Sequence, residues 1–207
     1  NSFVFYDTAE FSRSSWHHKN KINKNNKSQN ISLPIKHSGK TESLINSIIV
    51  KDRNFKKIRN TLSHSYEKKK DFKIVIDIYN KAYNDNIFLG KANIDFITSI
   101  SCLLGIKTEL LKISDINNES GNYRKSGSSI DDIINCGLKI DSHNYRSPKS
   151  VTYINDNEIT KFNEFDIKVD FFEYAPEDYA CSNNSEFLPY LSIIDLIANI
   201  GIDKSSE

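Results

Sequence analysis

The sequence predicts an α/β fold, and three observations carry that prediction. A short apolar run, Phe3-Val4-Phe5-Tyr6, opens the chain and stops at Asp7, as a buried strand does. Apolar residues then recur every three or four positions in three successive stretches between Phe55 and Leu104, the period of amphipathic helices. The third stretch ends at Gly105 and passes into Thr108–Ile113, a helix–strand step of the kind that builds α/β sheets. The expected architecture is a mixed or mostly parallel sheet flanked by helices, Rossmann-like. Residues 1–201 are expected to form one α/β domain with a small helical lobe near 54–104, and 202–207 a flexible tail.

The elements follow in order. After Phe3–Tyr6, residues Ser12–Lys27 show little periodicity and much positive charge, so they read as a loop with a turn at Asn25-Asn26-Lys27-Ser28. Ile31–Ile35 reads as a strand that Pro34 confines to an edge, and Leu44–Val50 as another short strand. The helical stripes are Phe55, Ile58, Leu62, Tyr66, then Phe72, Val75, Tyr79, Ala82, then Ile94, Ile97, Ile100, Leu104. Gly105 is the expected carboxy-terminal cap of the third. Beyond the turn-rich 117–127 come a helix at Ser129–Cys136 stopped by Gly137, strands near Val151–Ile154 and Ile167–Tyr174, and a helix at Leu191–Ile200 ending at Gly201.

Charge is distributed unevenly. Residues 1–75 hold sixteen Lys or Arg against six Asp or Glu, and the remainder holds twelve against twenty-one, inside a formal net charge of +1. The first half, with four of the five histidines and the only tryptophan, is where an anionic partner or small molecule is expected. A hydrophobic fraction of 38% is enough for a folded core, which argues against wholesale disorder. The three cysteines, Cys102, Cys136 and Cys181, give neither a disulfide framework nor a zinc spacing, and fit a cytoplasmic protein. No apolar run approaches the ~18 residues of a membrane span, and no secretory leader is seen. The first residue is not Met, so the polypeptide is expected to begin earlier.

Several groups could carry chemistry. Asp7 and Glu10 follow the first strand, where the carboxyl ends of strands line ligand crevices, although Asp7 could equally close a turn. Ser15-Trp16-His17-His18-Lys19-Asn20 is the densest set of donors. Its neighbouring imidazoles point apart and do not suggest a shared metal, but each can exchange protons near neutral pH. Trp16 is also large enough to be a packing anchor. Lys19 and Lys21 suit a phosphate or carboxylate, and His18 and Asn20 are better candidates than His17. Lys36-His37-Ser38-Gly39-Lys40 places a cation and an imidazole beside a tight turn, without the spacing of a phosphate loop. His64 falls off its helix's apolar stripe, and Lys68-Lys69-Lys70 is a solvated helix end without any nucleic-acid module. Ser129 with Asp132, and Ser192 with Asp195, have the spacing of capping boxes, and the helix opened by Ser192 could present its positive end to a ligand.

With these residues in view, the chain resembles the WbqC-like family. The matching stretches are Phe3–Asp7, Glu10-Phe11 to Arg13, Ser15–Ile22, Leu33–Gly39, Ser65-Tyr66, Leu104–Ile106 and Phe187-Leu188-Pro189-Tyr190-Leu191-Ser192-Ile193-Ile194-Asp195-Leu196. Members typically carry a strand and a Gln-Pro-Tyr motif ahead of the region present here, which implies a fold lacking its first strand. The family is associated with bacterial O-antigen (lipopolysaccharide) and other surface-polysaccharide gene clusters. The resemblance implies a transferase that moves glycine or another activated amino acid onto the amine of a nucleotide-linked amino sugar. The donor would be a carrier thioester, an aminoacyl-tRNA or an ATP-derived adenylate, so an acyl-carrier protein or a charged tRNA is the implied partner.

On that reading His37 takes the proton from the attacking amine, Asp7 orients the imidazole or the amine, and His18 and Asn20 position the sugar. Lys36 with Lys19 or Lys21 meets phosphate or the developing oxyanion. Glu10, Arg13, Trp16, His64 and Ser192 complete the expected binding residues, and no metal is assigned. Asp7, His18 and His37 are expected to share one recess. Two other classes stay open at this point: a nucleotidyltransferase acting on a sugar precursor, and a non-catalytic sugar-binding protein.

Overall fold

The computed structural model describes residues 1–36, 43–50, 56–84, 86–118, 129–181 and 186–206. It is a mixed α/β protein in which the chain divides into two compact units, Asn1–Leu110 with Pro176–Glu207, and Leu111–Ala175.

The first unit opens with β1 (Ser2–Phe5), which ends before Asp7 as expected. The segment expected to be a loop is instead a hairpin: β2 (Lys19–Lys24) pairs antiparallel with β3 (Lys27–Ser32), register Lys24↔Lys27. Its two-residue connection, Asn25-Asn26, has both φ angles positive (53° and 59°). That conformation matches the twist of a tight hairpin, and asparagine tolerates it better than other side chains. The strand was hidden because β2 reads Lys-Asn-Lys-Ile-Asn-Lys, and Ile22, fully buried, is its one apolar anchor. After Pro34 come β4 (Ile35–Lys36) and β5 (Ile49–Val50), antiparallel to each other, with a short 3₁₀ turn at Ile45–Ser47 between them in sequence.

Three helices build the core of this unit: α1 (Lys56–Tyr66), α2 (Phe72–Asn84) and α3 (Leu89–Leu103). They bury Ile58, Leu62 and Tyr66, then Phe72, Val75, Tyr79 and Ala82, then Ile100 and Leu104 of the expected stripes, whereas Ile97 is exposed and Phe55 lies outside the described residues. The third helix starts five residues before the expected Ile94, because Gly90 lets its first turn lie against the Ile45–Ser47 segment. A Cβ there would stand 2.9 Å from the Asn46 Cα. At the other end Gly105 (φ 68°) donates its N–H to Cys102 and Ile106 donates to Ser101, which together close the helix as a Schellman motif. β6 (Glu109–Lys112) follows, and Ser2 Oγ donates to the Glu109 carboxylate (2.9 Å).

The second unit holds α4 (Ile113–Asn118), α5 (Ser129–Lys139), β7 (Asn144–Pro148), α6 (Asp156–Glu164) and β8 (Lys168–Phe172). α5 runs through Gly137, which therefore does not stop it. The strand expected at Val151–Ile154 lies earlier, as β7. The residues after it lead into α6, an unforeseen helix opened by a capping box between Asn155 and Glu158. β7 and β8 are parallel, making one β–α–β unit closed over Ile130, Ile134, Phe162 and Ile167. Among the described residues the strands pair two by two rather than in one continuous sheet flanked by helices. Strands of two to six residues carry too few apolar positions to bury both faces of a wide parallel sheet.

The chain returns to the first unit for α7 (Ile193–Ile200) and α8 (Ile202–Ser205). The expected tail thus contains a helical turn, and Ile202 donates its N–H to the Asp71 carboxylate (3.0 Å).

Candidate functional site

A cavity of about 400 Å³ lies within the first unit. Its floor is apolar, drawn from Ile31 and Leu33 of the hairpin region, Ile58 of α1, Phe96 of α3 and Ile194 of α7. Its polar groups come chiefly from one stretch of sequence, Trp16-His17-His18-Lys19-Asn20, joined by Asn93 and Ser192. A 3₁₀ turn at Trp16–His18 leads directly into β2, and residues 16–20 all border the cavity.

Three contacts fix that turn. The Asn93 amide donates to the His17 carbonyl oxygen (2.7 Å), and Tyr83 donates to the other end of the same amide (2.8 Å). Leu33 N–H donates to the His18 carbonyl (2.8 Å). The Phe11 ring packs against both imidazoles, with centroid separations of 6.1 Å and 5.3 Å. Burial holds the pKa of His17 below its ordinary 6.5. His18 is lowered too, by burial first and then by the charges of Lys19, His17 and Arg13. Both shifts favour the neutral ring. His18 is only 8% exposed, and its Nδ1 has no hydrogen-bond partner among the described residues.

Trp16 is 59% exposed, so it stands at the lip of the cavity rather than anchoring the core, with the Lys21 ammonium 5.3 Å from its ring centroid. Lys19 Nζ donates to the Arg13 carbonyl (2.5 Å). Ser192 N–H donates to the Lys21 carbonyl (2.8 Å), which joins β2 to the start of α7 beside the cavity. Just ahead of that helix, Tyr190 holds φ 60°, an uncommon conformation for an aromatic residue.

The Ser192–Asp195 pair is not a full capping box. Ser192 Oγ does cap the helix, accepting from Ile194 N–H (3.4 Å). The Asp195 carboxylate turns inward instead and accepts from Tyr66 (2.6 Å), Tyr179 (2.6 Å) and the Asn199 amide (3.0 Å). Burial, followed by the bond to Asp195, pushes the Tyr66 phenol far above its ordinary value. This network ties α1, α7 and the hairpin together, because the Tyr66 hydroxyl also accepts from Asn23 N–H (2.8 Å).

The structure thus gathers Trp16, His18, Lys19, Asn20 and Ser192 around one cavity and places Lys21 over Trp16 at its edge. Asp7, Glu10, Arg13, Lys36 and His64 do not line it. Asp7 is buried in the turn after β1, where its carbonyl accepts from Asn46 N–H, and Glu10 forms an isolated bridge with Leu44. Lys36 and His64 are exposed, on β4 and α1. His37 lies outside the described residues, so only His18 of the three residues expected to share a recess is placed in it. The sequence ranks His17 below His18 and Asn20 and does not single out Asn93. The local crowding of donors pointed toward His17, whereas nothing local distinguishes Asn93 from the many other asparagines. Among the described residues no three His, Cys, Asp or Glu side chains cluster as metal ligands, and no helix is long and apolar enough to cross a membrane.

The stretches that form the cavity, Trp16–Asn20 and Leu191–Ile194, fall among those that carry the family resemblance, and the model of the WbqC-like protein family matches residues 1–207. The chain belongs to the WbqC-like family. This WbqC-like chain is similar to the uncharacterized protein Rv1507c of Mycobacterium tuberculosis, 24% identical over 208 residues, covering 97% of this chain and 84% of that one. No solved structure matches it.

Proposed function

We propose that this WbqC-like protein is an enzyme of surface-polysaccharide biosynthesis that transfers an activated amino acid to the amine of a nucleotide-linked amino sugar, and that the cavity binds the sugar. The observation that carries the reading is the pairing of two imidazoles, whose pKa values burial lowers, with an exposed tryptophan around a largely apolar cavity. A flat indole at the lip suits the apolar face of a pyranose ring, Asn20 and Asn93 suit its hydroxyls, and Lys19 in the lining with Lys21 over the Trp16 ring suit a diphosphate.

In the reaction the sugar amine attacks the carbonyl carbon of the donor. The new C–N bond forms, the bond from that carbon to the carrier's sulfur or oxygen breaks, and the proton lost from nitrogen passes to an imidazole. The His17–His18 pair supplies that base within the cavity. His37 remains a second proposed base on the strength of its sequence position.

Incubating the purified protein with nucleotide-linked 4-amino-4-deoxy sugars and each donor class (a carrier thioester, a charged tRNA, or ATP with free amino acid) tests the proposal by product mass. The expected product is heavier by one aminoacyl residue. A protein that binds the sugar yet yields no amide with any donor overturns the transferase reading and leaves a sugar-binding protein. Release of pyrophosphate with a nucleotidyl-bearing product would mark nucleotidyl transfer instead.

A further inference from the structure

The hydrogen-bond arithmetic around Ser15 assigns a tautomer to His17. Ser15 Oγ lies 2.6 Å from the Ser12 carbonyl oxygen and 2.8 Å from His17 Nδ1. A hydroxyl has one hydrogen, and a carbonyl oxygen can only accept, so that hydrogen belongs to the Ser12 bond. Toward His17 the serine oxygen can then only accept, and Nδ1 must carry the proton. In a neutral imidazole this leaves Nε2 with a bare lone pair. Nε2 has no hydrogen-bond partner among the described residues.

We propose that Ser15 is a positioning residue that holds His17 in the Nδ1–H tautomer, so that the cavity-lining imidazole presents Nε2 as the acceptor for a ligand N–H or O–H. This deepens the transferase reading, on which the ligand group is the sugar amine and Nε2 takes its proton. The chain Ser12 carbonyl, Ser15 hydroxyl, His17 imidazole plays the part that a carboxylate often plays beside a catalytic histidine, fixing which nitrogen is free. The Asn93 bond to the His17 carbonyl and the Phe11 ring hold the residue in place while this occurs. An imidazole without such a partner favours the opposite, Nε2–H form, which would turn an N–H rather than a lone pair toward the ligand.

Long-range ¹⁵N–¹H correlation spectra of the full chain, assigned with a His17→Gln variant, read the tautomer directly at a pH where the ring is neutral. The wild type is expected to show protonated Nδ1 and bare Nε2. Ser15→Ala is expected to shift the ring to the Nε2–H form, and Ser15→Thr to restore the wild-type pattern. On the transferase reading Ser15→Ala also lowers kcat by at least about tenfold with KM little changed, and threonine rescues it. A wild-type spectrum with Nε2 protonated overturns the assignment, as does a Ser15→Ala spectrum unchanged from wild type. The spectra need no turnover, so absence of transferase activity with the assigned tautomer intact counts against the reaction alone.

Discussion

Removing the Tyr66 hydroxyl tests whether the Asp195 network holds the first unit together. Tyr66 is 1% exposed, and its oxygen both donates to Asp195 and accepts from Asn23 N–H. In Tyr66→Phe the ring stays and both bonds go. Losing a hydrogen bond to a carboxylate costs about 1.5–3 kcal/mol. The abandoned Asn23 amide adds about 1 kcal/mol, at the lower end because Asn23 is only half-buried. Asp195 keeps Tyr179 and Asn199, so the penalty for a wholly unpaired buried carboxylate does not arise. The expected loss is about 3 kcal/mol, a large share of the 5–15 kcal/mol (roughly) that stabilises a typical domain. Urea unfolding followed by tryptophan fluorescence and circular dichroism should show a lower midpoint at unchanged slope. Tyr179→Phe removes one bond at a less buried position and should cost about half as much. The double variant should be non-additive, because each tyrosine shares the same carboxylate. A Tyr66→Phe loss below about 1 kcal/mol, or strict additivity with Tyr179→Phe, would refute the argument that this network is a structural keystone.

Asp195→Asn should destabilise despite being isosteric, because Tyr66, Tyr179 and Asn199 are all donors and the new amide nitrogen must face one of them; thermal denaturation checks it. Both cavity histidines have lowered pKa values, so the acid limb of the pH–rate profile should lie below the ordinary 6.5. The same shifts fix the sign for stability. The unfolded chain takes up protons near 6.5 while the folded rings resist, so stability present above 6.5 falls as pH drops toward the folded values and then levels off, as urea midpoints across that range should show. Trp16→Ala should raise KM for the nucleotide-linked sugar roughly tenfold with little effect on stability, since the ring is more exposed than buried; calorimetric titration and urea midpoints separate the two. Asn26→Ala should cost about 1 kcal/mol at its positive φ, and Asn26→Gly should not, as read by unfolding midpoints.

The helices of the first unit were legible because their stripes are long enough for period to outweigh composition. Phe72, Val75, Tyr79 and Ala82 are buried as read. The hairpin was not legible, since β2 has a single inward apolar residue and its stability rests on a turn conformation and on partners remote in sequence. β2 is held from outside, by the Ser192 bond to Lys21 and the Tyr66 bond to Asn23. α6 was missed for a related reason: its first turn is announced by an Asn155–Glu158 cap whose partners are polar. The Trp16–Asn20 cluster could be read because chemistry-bearing residues adjacent in sequence must also be near in space. Its union with Ser192 and Asn93 required long-range packing that no local pattern encodes. The same limit explains Asp7: a carboxylate after a strand is a sound candidate in a wide parallel sheet, but among the described residues the strands pair two by two, with no shared carboxyl edge to lead it into the cavity.

The charge asymmetry takes on a more specific meaning once the cavity is known. A strongly basic half could have produced a cationic pocket suited to a small anion, yet the lining here is largely apolar and its two imidazoles have pKa values lowered by burial. Lys19 and Lys21 are held at the edge, one tied to the Arg13 carbonyl and the other over the Trp16 ring. At the start of α7 the buried Asp195 carboxylate offsets the positive end of the helix, which weakens that end as an anion site. A ligand that satisfies all of these at once is amphipathic in charge, with a neutral, hydroxyl- or amine-bearing ring inward and an anionic group outward. The nucleotide-linked amino sugars of the proposed function have that form, whereas free phosphate, a simple carboxylate or a nucleic-acid backbone would leave the apolar lining uncovered. Binding should therefore weaken with added salt only as far as the two edge lysines contribute, while Trp16 and the floor retain the ring.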